Sequence, residues 1–129
     1  MIVLCQKLMP RILRIYTTPD WSTIGDFELL DHILDQCILT NSKIIVLFSN
    51  PNPDEKEYPF PPISYIITIA AKLLMLRSKI SEAVDYNIIH LQDDEARSNV
   101  NNFLQYYTPV NPTHVVETKE EIVAILNGD

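Results

Sequence analysis

Lys43-Ile-Ile-Val-Leu-Phe48 is the stretch from which the fold of this 129-residue chain can be read. Polar Asn41-Ser42 precedes it and Ser49-Asn50-Pro51 follows it, so an unbroken apolar run is framed by turn formers. A half-exposed strand alternates apolar and polar residues, whereas a strand covered on both faces does not need to. The run therefore predicts a strand at the centre of a sheet, with helices to be sought on either side.

Upstream, Phe27, Leu30, Ile33, Leu34, Cys37 and Ile38 recur at the spacing of a helix with one buried face, and Ser22 or Thr23 can cap its start. Ahead of it, Ile2 to Gln6 and Ile12 to Tyr16 read as strands of a short hairpin around Pro10. Downstream, Pro51 to Pro62 holds five prolines and the run Asp54-Glu55-Lys56-Glu57, the composition of a long surface loop. From Ile63 to about Lys79 the chain reads as one helix. Polar Ser64, Thr68 and Lys72 form a narrow stripe on it, and the rest of its circumference is expected to be buried.

Tyr86 to Leu91 reads as a further strand and Glu95 to Tyr107 as a further helix, before Pro109 and Pro112 break the chain. His114 to Glu117 makes a short strand. Thr118-Lys-Glu-Glu121 then has the spacing of a capping box ahead of Ile122, Val123, Ile125 and Leu126, and Asn127-Gly128 stops that helix. The order β-β-α-β-α-β-α-β-α implies right-handed crossovers. The expected fold is a single α/β domain over residues 1–129: a three-layer sandwich whose mainly parallel sheet has four to five strands, with an N-terminal β-hairpin and four helices.

Seventeen acidic residues against ten basic ones give a net charge of −7, which argues against nucleic acid and anionic membranes as partners. The cations are segregated: Lys7, Arg11 and Arg14 precede the first acid, Asp20, and Lys72, Arg77 and Lys79 cluster further on. The apolar run from Ile63 to Leu76 is too short for a membrane span, which takes roughly 20 residues. MIVLCQKLMPR lacks the charged start and cleavage site of a signal peptide. Cys5 and Cys37, both in apolar surroundings, are expected as buried reduced thiols, and the protein is expected to be cytoplasmic.

Two glycines, Gly25 and Gly128, leave no place for GxGxxG, GxxxxGK[ST] or GxSxG. His32, His90 and His114 lie far apart in sequence, with neither HExxH nor CxxC, and His90 within an apolar strand reads as a core histidine. No catalytic residue, metal or cofactor is expected. Three features retain functional content. Tyr58, Phe60, Pro61 and Pro62 present aromatics on a proline-stiffened loop, which loses little entropy on meeting a protein partner. Thr17, Thr18, Asp20, Ser49, Asn50, Asp93 and Asp94 follow the parallel strands, where a nucleotide- or phosphate-ligand-binding enzyme or sensor would place its site. Asp93 and Asp94, with Glu95, read first as caps and favourable charges at the N-terminus of the following helix. Trp21 with Tyr16 can stack on a ring or staple a helix start.

The central strand Lys43 to Phe48, Ser64 at the start of the next apolar helix, and the ending His114-Val-Val-Glu-Thr-Lys-Glu-Glu-Ile-Val-Ala-Ile-Leu126 together resemble the STAS domains. That family includes anti-sigma factor antagonists and the cytoplasmic tails of sulfate transporters. The resemblance implies a regulatory module switched by phosphorylation, with Ser64 as the positional match to the family's phosphosite. Pro61-Pro62-Ile63-Ser64 stands where the family has an Asp-Ser motif followed by glycine. The function expected on these grounds is a non-enzymatic protein-interaction or regulatory module, with a homodimer expected through the exposed edge of the first strand.

Overall fold

A computed structural model describes residues 2–9, 12–18, 24–49, 63–105 and 108–128. Five strands form one sheet in the order β1-β2-β3-β4-β5, comprising β1 (Ile2–Met9), β2 (Ile12–Thr18), β3 (Ile44–Ser49), β4 (Val84–His90) and β5 (Thr113–Val116). Helix α1 (Ile24–Leu39) links β2 to β3; α2 (Ile63–Met75) and α3 (Arg77–Ala83) precede β4; α4 (Asp94–Phe103) precedes β5, and α5 (Lys119–Asn127) follows it. β1 pairs antiparallel with β2, and β2 to β5 run parallel. The expected parallel sheet with an N-terminal hairpin is thus present, and β3 is its central strand.

The strands advance across the sheet in one direction, so connections of a single hand must all cross the same face. On that front face Leu13, Ile15, Ile44 and Val84 meet Leu34 and Cys37 of α1 and Ile80 and Ala83 of α3. Further along the same face, Phe48, Ile89 and Val115 surround Leu91 together with Ala96 and Val100 of α4. The back face, with Ile12, Ile45, Tyr86, Ile88 and Val116, is closed by Ile122, Ile125 and Leu126 of α5. The three layers are therefore unequal.

Local chemistry explains the helix ends. Asn41, with φ at 52°, takes the left-handed position after α1 while Ser42 N donates to Cys37 O at 3.0 Å, a helix stop that asparagine tolerates. Thr118 and Glu121 form the expected capping box: Glu121 N donates to Thr118 Oγ1 at 3.2 Å, and Thr118 N to Glu121 Oε1 at 3.3 Å. No loop separates α3 from β4, because Val84 N–H, which closes the helix on Ile80 O, belongs to the first residue of the strand.

The expected single helix from Ile63 to about Lys79 is two helices, which makes five helices rather than four. Leu76, at φ −97° and ψ 4°, forms a turn whose amide reaches Leu73 O at 3.1 Å and Lys72 O at 3.3 Å. Neither proline nor glycine marks this break. Its cause is tertiary: α3 turns in to seat Ile80 and Ala83 on the sheet and lays Lys79 against α1, with Lys79 Nζ 2.5 Å from Asp31 Oδ1 and 2.9 Å from Asp35 Oδ1. The expected burial of most of the helix's circumference also fails, because Ile67, Leu74 and Met75 of α2 are exposed. Smaller differences concern boundaries: β1 and β2 run further than expected, to Met9 and Thr18, and α4 stops at Phe103.

Candidate functional site

The strand-end edge is the first place to look for chemistry. Thr17 and Thr18 lie within β2, opposite Val3 and Ile2 of β1, so they belong to the ladder rather than to a loop beyond it. Ser49 ends β3 beside His90. Asp20 and Asn50 lie outside the described residues, as do Trp21, the proline-loop residues Tyr58, Phe60, Pro61 and Pro62, and Arg11.

Asp93 and Asp94 are both engaged. Asp93 is the N-cap of α4, accepting from Ala96 N at 3.0 Å, and Asp94 is paired with Arg97. Arg97 was not singled out by the sequence, yet it fills this edge. Its Nη1 donates to Leu91 O at 2.7 Å and Gln92 O at 3.0 Å, and its Nη2 lies 3.8 Å from Glu117. The guanidinium, only 18% exposed, thus ties the end of β4 to α4 and to the residue after β5. Carboxylates held in this way by the protein's own cations and amides are poorly placed to take up a divalent ion. Among the described residues no group of three His, Cys, Asp or Glu side chains is arranged to hold a metal. His90 is 2% exposed, in agreement with a core histidine, and Cys37 is a buried free thiol.

The second place is α2. Residues three and four apart share a helix face, so Ile67, Ala71, Leu74 and Met75 form one continuous arc on it. Ile67 is 62% exposed, Leu74 53% and Met75 78%, while on the inner side Ala70 is buried and Leu73 packs on the front-face core. Exposed apolar residues are ordinarily scattered singly over a protein surface, and here they are contiguous. Ser64 occupies the first turn of the same helix. From Tyr58 to Ser81 there is no acidic residue, although the chain carries seventeen, and Lys72, Arg77 and Lys79 fall in this interval. The sequence did signal the apolarity of α2. It gave no sign that a full turn's worth of it stays uncovered, because the two outcomes share one pattern. Among the described residues no helix is long and apolar enough to cross a membrane.

No family model matches the sequence, and no curated protein matches it. Among solved structures, that of the anti-sigma factor antagonist SpoIIAA in its unphosphorylated form is similar over 99% of this chain and 98% of that one, with 9% sequence identity and a TM-score of 0.50. An α/β chain with this strand order, aligned from end to end on that structure, has the STAS-type fold, as the residues of β3, Ser64 and the β5-α5 ending had suggested.

Proposed function

We propose that the protein is a non-enzymatic regulatory module that binds a partner protein on the exposed arc of α2. The observation that carries this reading is the uncovered set Ile67, Ala71, Leu74 and Met75 within an acid-free, cationic segment of an acidic protein. A partner that fits it presents an apolar helix face bordered by carboxylates, because apolar anchors fill the arc and acids meet Lys72 and its neighbours. The likeness to the anti-sigma factor antagonist SpoIIAA supports a regulatory role exercised on another protein.

Ser64, in the first turn of α2, is the proposed regulatory position. A phosphate there adds about −1.5 to −2 charges at neutral pH at a helix N-terminus that tolerates them. It would also add negative charge to the acid-free stretch from Tyr58 to Ser81 and so repel an acidic partner. The partner-contact loop with Tyr58, Phe60, Pro61 and Pro62 precedes this helix directly in sequence and is proposed to extend the same surface.

The test is affinity capture with wild type, Ile67→Lys and Met75→Lys, identification of the captured proteins, and rebinding of each with purified components. The reading expects a protein that binds wild type and is lost from both variants and from Ser64→Glu. A binder indifferent to all three substitutions overturns the α2 surface. A nucleotide or Mg²⁺ that raises the melting temperature of the purified protein by several degrees overturns the non-enzymatic reading.

A further inference from the structure

The sheet has two edges, and they differ. β5 has four residues, too short to offer much of a template, whereas β1 has eight, Ile2 to Met9, with β2 on one side and no described residue paired on the other. A strand in that position carries a row of backbone donors and acceptors directed outward. Long edges are usually blunted by proline, charge or a bulge. Here Ile-Val-Leu-Cys-Gln, residues 2–6, contains none of these; Lys7 and the register shift between Lys7 and Met9 come only at the far end.

A second feature lies on the same margin. Helix α1 rests against β1 on one side and α3 on the other, and Asp31 and Asp35, bound to Lys79, identify its α3 side. At about 100° per residue, Leu29 and Gln36 project from the opposite side, with Ile33 and Thr40 beside them. Leu29 is 42% exposed and none of these four side chains is charged, Ile33 also packing on the front-face core. Glu28, Asp31 and Asp35 lie elsewhere on the helix, while Asp26, in the first turn and three residues before Leu29, stands on this side.

We infer that this margin is a homodimer interface, in which β1 pairs antiparallel with β1 of a second copy and the Leu29 side of α1 meets its counterpart across the two-fold axis. A second copy is the occupant the observations favour for three reasons. Antiparallel pairing of a strand with itself is self-complementary, as an isologous contact requires. The charge distribution permits it, since no acid precedes Asp20, and antiparallel pairing of the strands sets the two α1 helices antiparallel, which carries Asp26 in the first turn away from its counterpart. In a centred register Lys7 falls opposite Leu4 of the other copy, so the cations do not meet. The α1 flank adds apolar area that a strand pair alone lacks, and the product is one continuous ten-stranded sheet. This surface is separate from the α2 arc, so the inference stands or falls independently of the proposed partner site.

Light scattering over roughly 1–200 µM, with amide hydrogen exchange of the full chain at both ends of that range, tests it. The expected result is a mass approaching twice 14.8 kDa at high concentration and slower exchange of β1 amides there than at low concentration. Leu29→Lys is expected to weaken the dimer at least tenfold while leaving the melting temperature of the dilute protein unchanged, and Met75→Lys to leave the dimer intact. A monomer mass throughout overturns the inference. So does a dimer whose β1 amides exchange equally fast at both concentrations, or one broken by Met75→Lys and not by Leu29→Lys.

Discussion

Helices α2 and α3 are cut from one apolar stretch and separated by a single residue, yet they belong to different parts of the molecule. α3 is short, and it is held by Ile80 and Ala83 on the sheet and by Lys79 between two α1 carboxylates. α2 is longer and more apolar; Ala70 is buried and Leu73 packs on the core, yet Ile67, Leu74 and Met75 turn to the outside. Apolarity therefore does not decide which helix is buried; the position of the turn at Leu76 does. The helix with fewer apolar residues is the structural one, and the helix with more leaves its outer side exposed.

Five substitutions break or sharpen that contrast. Ile80→Ala, which empties a buried site between α3 and the sheet, is expected to cost about 2–4 kcal/mol in urea unfolding. If it costs no more than a surface change, α3 is not the anchor described. Removing a cap is a smaller perturbation outside both helices, so Asp93→Ala and Thr118→Ala are each expected to cost about 1 kcal/mol by the same measurement and serve as a scale.

Lys79 gives a third, pH-dependent effect. Its hydrogen bond with Asp31, then that with Asp35, hold its ammonium above the ordinary 10.5. A group whose folded value is raised contributes its stability fully below the unfolded value and loses it as pH climbs through the folded one. Wild type is therefore expected to be slightly more stable than Lys79→Met at neutral pH, with the two melting temperatures converging above pH 10.5; a difference independent of pH would mean that packing rather than charge joins α3 to α1. The smallest effect belongs to α2. Met75→Lys is expected to change stability by no more than about 0.5 kcal/mol, and a loss comparable with that of Ile80→Ala would show that the arc is covered.

Much of this arrangement was legible in the residues, and the boundary of legibility has a physical location. Lys43 to Phe48 announced a central strand because continuous apolarity is required only where both faces are covered. Thr118 and Glu121 announced a helix start because a capping box is local chemistry complete within four residues, and Asp93 did the same for α4 in acting as its N-cap. The break at Leu76 has no local cause, only the distant attraction of α1 and the sheet for Ile80, Ala83 and Lys79. The same holds for Arg97, whose partners at Leu91, Asp94 and Glu117 come together only after β4, α4 and β5 have assembled. The candidate site was the least legible feature, since an uncovered apolar arc and a buried one are written in the same residues.

The direct passage from α3 into β4 carries a consequence for how the gene can vary. Val84 faces the front layer and Tyr86 the back one, because the pairing with β3 shifts register between Ile44 and Ile45. From Tyr86 onward β4 keeps a period of two, so a single residue inserted or deleted ahead of it would turn Tyr86 to His90 to the opposite face. Tyr86, Ile88 and His90 would leave the back layer for the front, and the polar positions Asp85 and Asn87 would take their place beneath α5. With no loop to absorb the change, this junction sets which face each residue of β4 takes from Tyr86 onward. Length variation among variants of this protein should accordingly be absent at that junction and concentrate in segments that join elements through several residues.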